Sequence, residues 1–575
     1  MNPEMGRLFS YVGRHKGTLF GGLGGAVISV ICTLLIPILV GRAIDHIVGP
    51  NQVDFDVVGR LLVMLAIAAG LGALFHWIML LCTRSISAKV AQEIRRDAFA
   101  KINRAPLSKI DAHPQGDLLS RLVADAEAVN EGILQTLSVL FPGLVTVIAT
   151  IAFMFTLHVG IGILVIVATP LSILLARFIG NRTSKYFRAQ SKTQGQMGAF
   201  VSEMVENRAM IAALGWEKAS QEDFRRLNDA YFRDNFKATF YSSLSNPGAR
   251  FVNALIYVAV VLCGGILAIG GGLSIGALSA FLSYVSQYTR PLNEITAVLT
   301  QIQAAKAGAQ RLFAVIDWAS EPPDVPGAKM PETCTGTVDM EAVCFSYERE
   351  RPLLQNIYLH APPGAHIALV GPTGSGKTTL VSLLMRFYEV DSGTIAIDGV
   401  PIAEMERGSL RRLYGMVLQD SWLKQATVGE NIAYGRPEAS GKEIEAAAKS
   451  AYAHKVILGL PQGYDTVLGE GSGLSEGQKQ LLCIARIFLA KPHMLILDEA
   501  TSSIDTRTEM LLQKALGDLM AGRTSFIVAH RLSTVQNADC ILVMDQGQVV
   551  ERGTHRELLE KKGVYAKLYD SQFLP

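Results

Sequence analysis

Apolar residues run almost unbroken through long parts of the first half of the chain, then alternate with polar ones in the second. Six apolar stretches precede residue 300, at 18–40, 61–81, 134–157, 159–179, 251–269 and 275–298. Each is about 20 residues, enough for a helix to cross a hydrocarbon layer about 30 Å thick. A helix satisfies its own backbone hydrogen bonds in lipid. Six such runs in succession therefore predict six membrane-spanning helices rather than buried helices of a soluble core. Pro37, Pro142 and Pro170 fall inside them, where membrane helices tolerate proline.

The connections alternate in length and charge. The one after the second stretch carries Arg84, Lys89, Arg95, Arg96, Lys101, Arg104, Lys109 and Arg121. The one after the fourth is equally basic, from Arg182 and Lys185 through Arg233, Lys237 and Arg250. His158 alone joins the third and fourth stretches, and 270–274 holds no Lys or Arg. The positive-inside rule puts the long connections and both termini in the cytoplasm. Residues 85–103 and 192–231 read as helix, so the spans are expected to continue past the membrane. Interruptions at 106–114 and 215–216 predict turns that touch a cytoplasmic domain. His76 and Asn253 lie within spans, where a pathway role and a plain interhelical hydrogen bond are both open.

Composition agrees. The 575 residues are 49% hydrophobic and only 18% charged, with mean hydropathy +0.28, the balance of a membrane protein with more than one domain. A net charge of +2 and the lack of a basic run interleaved with aromatics give no case for nucleic acid. The cysteines, Cys32, Cys82, Cys263, Cys334, Cys344, Cys483 and Cys540, form no CxxC pair and suggest neither zinc nor a disulfide framework. The polar residues 1–16 do not read as a cleavable signal. Pro322, Pro323, Pro326 and Pro331, with Gly327 and Gly336, mark a linker. The expected layout is a membrane domain over 1–317, a linker over 318–337 and a soluble α/β domain over 338–575.

The soluble part carries the chemistry. Gly371, Pro372, Thr373, Gly374, Ser375, Gly376, Lys377 and Thr378 match GxxxxGK[ST] between a strand-like and a helix-like run. Glycines let backbone N–H groups turn onto phosphates, and the helix dipole adds to that. Lys377 is expected on the β- and γ-phosphates and the Thr378 hydroxyl on Mg2+. An apolar strand ends in Asp498 and Glu499. Asp498 suits Mg2+, and Glu499 is placed to polarise an attacking water. Ser475 opens another helix and offers a second anion site. His530 ends a further strand and is a candidate contact for a γ-phosphate.

Residues 338–574 resemble the ATP-binding cassette of ABC transporters, and the whole chain resembles a six-span half-transporter of the multidrug and lipid exporter group. The likeness extends to residues 116–121 and 284–291. It implies a six-helix transmembrane domain joined to an α/β P-loop NTPase, with ATP and Mg2+ as cofactors. Tyr347 matches the aromatic that stacks on adenine. Gly371 through Thr379 match Walker A; Asp498 and Glu499 match Walker B and its catalytic glutamate. Gln419 matches the glutamine that contacts Mg2+ and senses the membrane helices. Leu474, Ser475, Glu476, Gly477 and Gln478 match the signature, Asp505 the D-loop and His530 the switch histidine. The family pairs two cassettes head to tail, so a complete site needs a second half-transporter. Alternating access then moves a substrate through a cavity between twelve spans.

Three departures bear on the partner. The signature reads LSEGQ rather than LSGGQ, and a carboxylate beside a γ-phosphate is unfavourable unless it points away. The loop 469–473 is about one residue shorter than the family spacing. Residues 420–427, DSWLKQAT, resemble one subunit of heterodimeric exporters. The chain is thus expected to be the glutamate-bearing half of a heterodimer, with a tolerant homodimer as the alternative. An ATP-gated channel or regulator and a siderophore-type importer share these motifs. The spans exclude a soluble ABC ATPase. No peptidase domain precedes the first span, against a leader-cleaving peptide exporter. Few charges in the spans suggest an amphiphilic or hydrophobic cargo (drug, lipid or peptide) rather than an anion, and a bacterial inner membrane is the expected site.

Overall fold

A computed structural model describes residues 3–47, 53–324, 328, 334–348, 351–418, 421–469, 473–498, 505–529 and 535–573. The chain divides into two units, Met1–Arg104 with His113–Trp318, and Ala105–Ala112 with Ala319–Pro575.

The first unit is helical. It holds α1 (Pro3–Gly13), α2 (Lys16–Asp45) and α3 (Phe55–Ile102). A short α4 (Leu107–Asp111) belongs to the other unit. Next come α5 (Gln115–Ser120), α6 (Ala126–Gln135) and α7 (Phe141–Leu157), fused through π-helical turns at Arg121–Asp125 and Thr136–Leu140. The series ends with α8 (Val159–Glu206), α9 (Arg208–Leu214), α10 (Glu217–Ser243), α11 (Ser245–Ile269) and α12 (Ile275–Ile316). Among the described residues, four helical rods are long and apolar enough to cross a membrane: Lys16–Asp45, Phe55–Ile102, Gln115–Leu157 and Arg250–Ile269. The other two expected spans lie on α8, where Val159–Pro170 is apolar, and on α12.

Between lipid-soluble helices close packing replaces hydrophobic drive, so small residues set the contacts. Gly22 and Gly25 of α2 lie against Cys82 and Met79 of α3, while Ser29 Oγ donates to the Gly72 carbonyl at 3.0 Å. The α2–α12 crossing is tighter: a Cβ on Gly276 would stand 1.8 Å from the Gly41 oxygen. Asp45, at the end of α2, also accepts from Ser274 Oγ and Gly276 N, each at 2.7 Å, capping α12 from a distant part of the chain. Tyr284 of α12 donates to the Leu34 carbonyl of α2 at 2.5 Å. Towards the far end of α12, Arg311 grips the buried Asp125 with two nitrogens. The amphipathic α1 packs Leu8, Tyr11 and Val12 against Ile94, Leu312 and Phe313.

The second unit carries two sheets. Strands β1 (Val338–Phe345), β2 (Leu354–Ala361), β4 (Ser392–Ile397) and β5 (Val400–Pro401) form an antiparallel sheet in the order β2-β1-β4-β5. The other sheet runs β10-β9-β3-β8-β7-β6. Its members are β3 (His366–Val370), β6 (Tyr414–Val417), β7 (Met494–Asp498), β8 (Thr524–Val528), β9 (Cys540–Asp545) and β10 (Gln548–Gly553). All its pairings are parallel except β9–β10. Both faces of the parallel part are covered, which is why its strands read as continuous apolar runs. Ile367, Leu369, Ile496 and Phe526 join the core shared with the antiparallel sheet. Leu495, Leu497 and Ile527 meet Leu481, Ile484 and Leu512 of the helical layer. Helices α13 (Lys377–Leu384), α14 (Arg407–Leu413), α15 (Val428–Ala433), α16 (Gly441–Ser450), α17 (His454–Leu458), α18 (Glu476–Ala490), α19 (Thr506–Met520), α20 (His555–Lys561) and α21 (Val564–Phe573) complete the layers. The half-buried Tyr388 donates its hydroxyl to Asp111 of α4, so α4 is tied to this unit by a named bond.

Gly276→Ala forces α2 and α12 apart and is expected to lower the Tm of the full chain in detergent by at least about 3 °C. Gly265→Ala, whose Cβ meets nothing within 4 Å, is the control and should leave Tm unchanged or slightly higher.

Candidate nucleotide-binding site

In open α/β sheets, ligands sit at the carboxyl ends of the strands. Here β3 ends at Val370 and α13 starts at Lys377, so residues 371–376 turn at that edge. Two glycines make the turn possible. Gly371 has φ +156°, and a Cβ there would lie 2.1 Å from the Met544 oxygen. Gly376 has φ +99°, and a Cβ would meet Leu354 Cδ2 at 2.5 Å. No other residue type fits either place without moving its neighbours.

Lys377 is 7% exposed, and its Nζ donates to the Gly371 and Pro372 carbonyls at 2.8 and 2.9 Å. Burial pushes its ammonium below the usual lysine value, and the Asp498 carboxylate pulls in the opposite direction. Ser375 is 2% exposed, and its Oγ is buried with no hydrogen-bond partner among the described residues. An unsatisfied buried hydroxyl costs about 1–3 kcal/mol. A phosphate oxygen in the loop is the partner its place suits, so the residues present fit a nucleotide phosphate. Thr378, next after Lys377, is exposed. Thr379 is buried, its Oγ1 3.2 Å from the Tyr347 hydroxyl.

Tyr347 stands beside the loop as an exposed aromatic ring. Phe345 and Tyr388 hold it edge-on, with ring centroids at 4.9 and 5.0 Å and planes near perpendicular. Asp111, Tyr388, Tyr347 and Thr379 thus form a continuous line of contacts from α4 to the start of α13.

Asp498 is the last residue of β7, beside β8 in the sheet. Thr378 and Asp498 supply the hydroxyl and carboxylate oxygens that a hard cation such as Mg2+ takes. Ser475 and Asp505 are the N-caps of α18 and α19. Ser475 Oγ accepts from Gln478 N at 3.3 Å, and Gln478 Oε1 accepts from Ser475 N at 3.0 Å. This reciprocal box leaves the next N–H groups of α18, including that of the buried Gly477, at the open end of the helix. Neither Ser475 nor Gln478 bonds to the phosphate loop of its own chain. Glu476 turns back on Lys479, at 3.2 Å.

Two family descriptions match the chain: the ABC transporter transmembrane region over residues 19–292, and the ABC transporter domain over 354–502. A fatty acid ABC transporter ATP-binding/permease protein of Mycobacterium tuberculosis is 42% identical over 524 residues, covering 91% of this chain and 83% of that one. The chain belongs to the ABC transporter family. A putative multidrug export ATP-binding/permease protein of Bacillus subtilis is 33% identical to this ABC transporter over 99% of both chains. The solved structure of a bacterial Atm1-family ABC exporter with ATP bound superposes with a TM-score of 0.77 at 29% identity, covering 97% of this chain and 99% of that one. This chain is therefore an ABC exporter half-transporter, a membrane protein whose ATPase domain binds nucleotide and whose fold works as a dimer.

Of the expected site residues in this ABC transporter, the fold gathers Gly371–Thr379, Tyr347 and Asp498 at one sheet edge and sets Ser475, Gly477, Gln478 and Asp505 at helix starts. Gln419, Glu499 and His530 lie outside the described residues. His76 and Asn253 line two clefts of the first unit, of about 490 and 670 Å³. Sequence reasoning missed Tyr388 and Asp111, 277 positions apart, because neither sits in a motif. Ser375→Ala removes an orphaned hydroxyl. It is expected to hold or raise Tm while weakening ATP binding about tenfold, read by fluorescent-nucleotide titration.

Proposed function

We propose that this chain exports amphiphilic or hydrophobic compounds across a bacterial inner membrane by ATP-driven alternating access, with the cassette and both termini in the cytoplasm. One observation carries the reading: a phosphate loop with a buried, unpartnered Ser375 hydroxyl shares a chain with long apolar helices. Relatives named for fatty acid transport and for multidrug export support the cargo class.

In this reading Tyr347 stacks on the adenine. Loop N–H groups, Ser375 and Lys377 hold the phosphates. Lys377 must exchange its bonds to the loop carbonyls for bonds to phosphate oxygens. Thr378, Gln419 and Asp498 hold Mg2+, which neutralises phosphate charge when bound. Glu499 orients and deprotonates the attacking water, and His530 contacts the γ-phosphate. Ser475, Gly477, Gln478 and Asp505 complete the site of a partner. The layout of membrane half over 1–317, linker over 318–337 and cassette over 338–575 belongs to the same proposal.

We also propose that the partner is a different chain with an LSGGQ signature, because Glu476 stands where a second ATP would present its γ-phosphate. The Glu476–Lys479 contact partly neutralises that carboxylate, and it favours the alternative of a homodimer that tolerates glutamate. Exposed pairs of this kind contribute only about 0–1 kcal/mol, too little to offset a γ-phosphate.

Glu499→Gln is expected to keep ATP affinity within about twofold and cut turnover at least 100-fold, roughly the size of a general-base effect. Turnover within tenfold of wild type would remove the assignment. Purification alone tests the partner: the chain should be nearly inactive, and a co-expressed second half-transporter should restore vanadate-sensitive hydrolysis. A fully active homodimer, unchanged by Glu476→Gly, would sink the heterodimer.

A further inference from the structure

One arginine lies within the last span and another stands at the very start of the span before it. Arg250 begins the apolar window of α11, and Arg290 lies inside the run 275–298 on α12. Both line one cleft of about 670 Å³, together with Asn253, Tyr257, Val258 and Glu294. Charge inside a span is costly and marks a water-filled pathway more often than a lipid contact.

Among the described residues, one cation is unpaired and the other only partly neutralised. The exposed Arg250 makes no ion pair with any described residue. The Arg290 side chain is 83% exposed and bonds Glu294 only through Nε, at 3.2 Å. Its two terminal nitrogens stay open to a ligand. The cleft walls therefore carry two positive groups against one carboxylate.

The cleft is also polarised along its length. Helices α11 and α12 meet at the short turn 270–274. At 1.5 Å per residue, Arg250 and Arg290 lie about 30 and 24 Å from that turn, and Val258 and Val285 about 17–18 Å. The arginines thus sit at one end of the cleft and the apolar wall, with the Tyr257 ring, at the other. Thr289 lies between, and its hydroxyl is already spent on the Val285 and Ser286 carbonyls.

We infer that this cleft binds a single-tailed anionic amphiphile, its carboxylate or phosphate head on Arg250 and Arg290 and its tail along Tyr257, Val258 and Val285. This rests on the exporter reading and narrows its cargo class. A guanidinium with two open nitrogens matches a planar carboxylate or a phosphate. A cationic amphiphile would meet two like charges and one carboxylate, already bonded to Arg290, at that end of the cleft.

The test uses the transport-competent full-length protein, with its partner half where required, in nanodiscs of zwitterionic lipid. ATP hydrolysis is followed against palmitate, hexadecyl phosphate, hexadecanol and hexadecyltrimethylammonium, which share a tail and differ in head. Half-maximal stimulation by palmitate or hexadecyl phosphate is expected at a concentration about tenfold below hexadecanol, with the ammonium weakest. The two anions separate a free fatty acid from a phosphate headgroup. The double variant R250Q/R290Q should bring palmitate and hexadecanol together, and R290K should keep them apart. Stimulation by the ammonium at or below the palmitate concentration overturns the inference, as does a double variant that keeps the preference. So does hydrolysis that answers to none of the anions. If the double variant does not fold, the headgroup series on the wild type decides. A protein that hydrolyses no ATP in any form sinks the exporter reading instead.

Discussion

Everything in the cassette depends on a backbone turn that only glycine can make. At Gly371 and Gly376 a side chain would strike the Met544 oxygen and Leu354. Met544 belongs to β9, far along the chain, and Leu354 to β2, on the other sheet. The turn therefore exists only once both sheets are assembled around β3. In return, the loop holds its amide groups, Ser375 and Lys377 at the sheet edge, with Lys377 bonded to the loop's own carbonyls. The phosphate-binding groups are thus set in place by the fold itself.

The first unit follows a different rule. Its helices gain little from excluding water, so their contacts are made by absent side chains and by a few buried bonds. Gly41 meets Gly276, Gly132 meets Ala305, and Asp125 is buried under Arg311. α12 takes part in all three, making it the element against which α2 and α6 are registered.

Much of the site was legible in the sequence because its parts are contiguous. The phosphate loop, Asp498 with its strand, and the capped start at Ser475 each combine a residue pattern with a local element. The long apolar runs were legible for the same reason. What was not legible joins distant positions. The Asp111–Tyr388–Tyr347 line has no motif, and the Asp45 cap on α12 spans 231 positions. The turn of Glu476 onto Lys479 depends on where α18 begins. Arg290 was hidden differently: averaging hydropathy over a span dilutes one cation among many apolar neighbours.

The joint between α2 and α12 limits how the membrane half can move. Backbone there touches backbone, and the Asp45 carboxylate at the end of α2 fastens the start of α12. A hinge needs a gap or a compliant side chain, and this joint has neither. The two helices must swing as one lever at that end, leaving bending to places further along them. Probes attached on either side of the joint should then keep a fixed separation throughout the cycle while the opposite ends of the same helices change theirs.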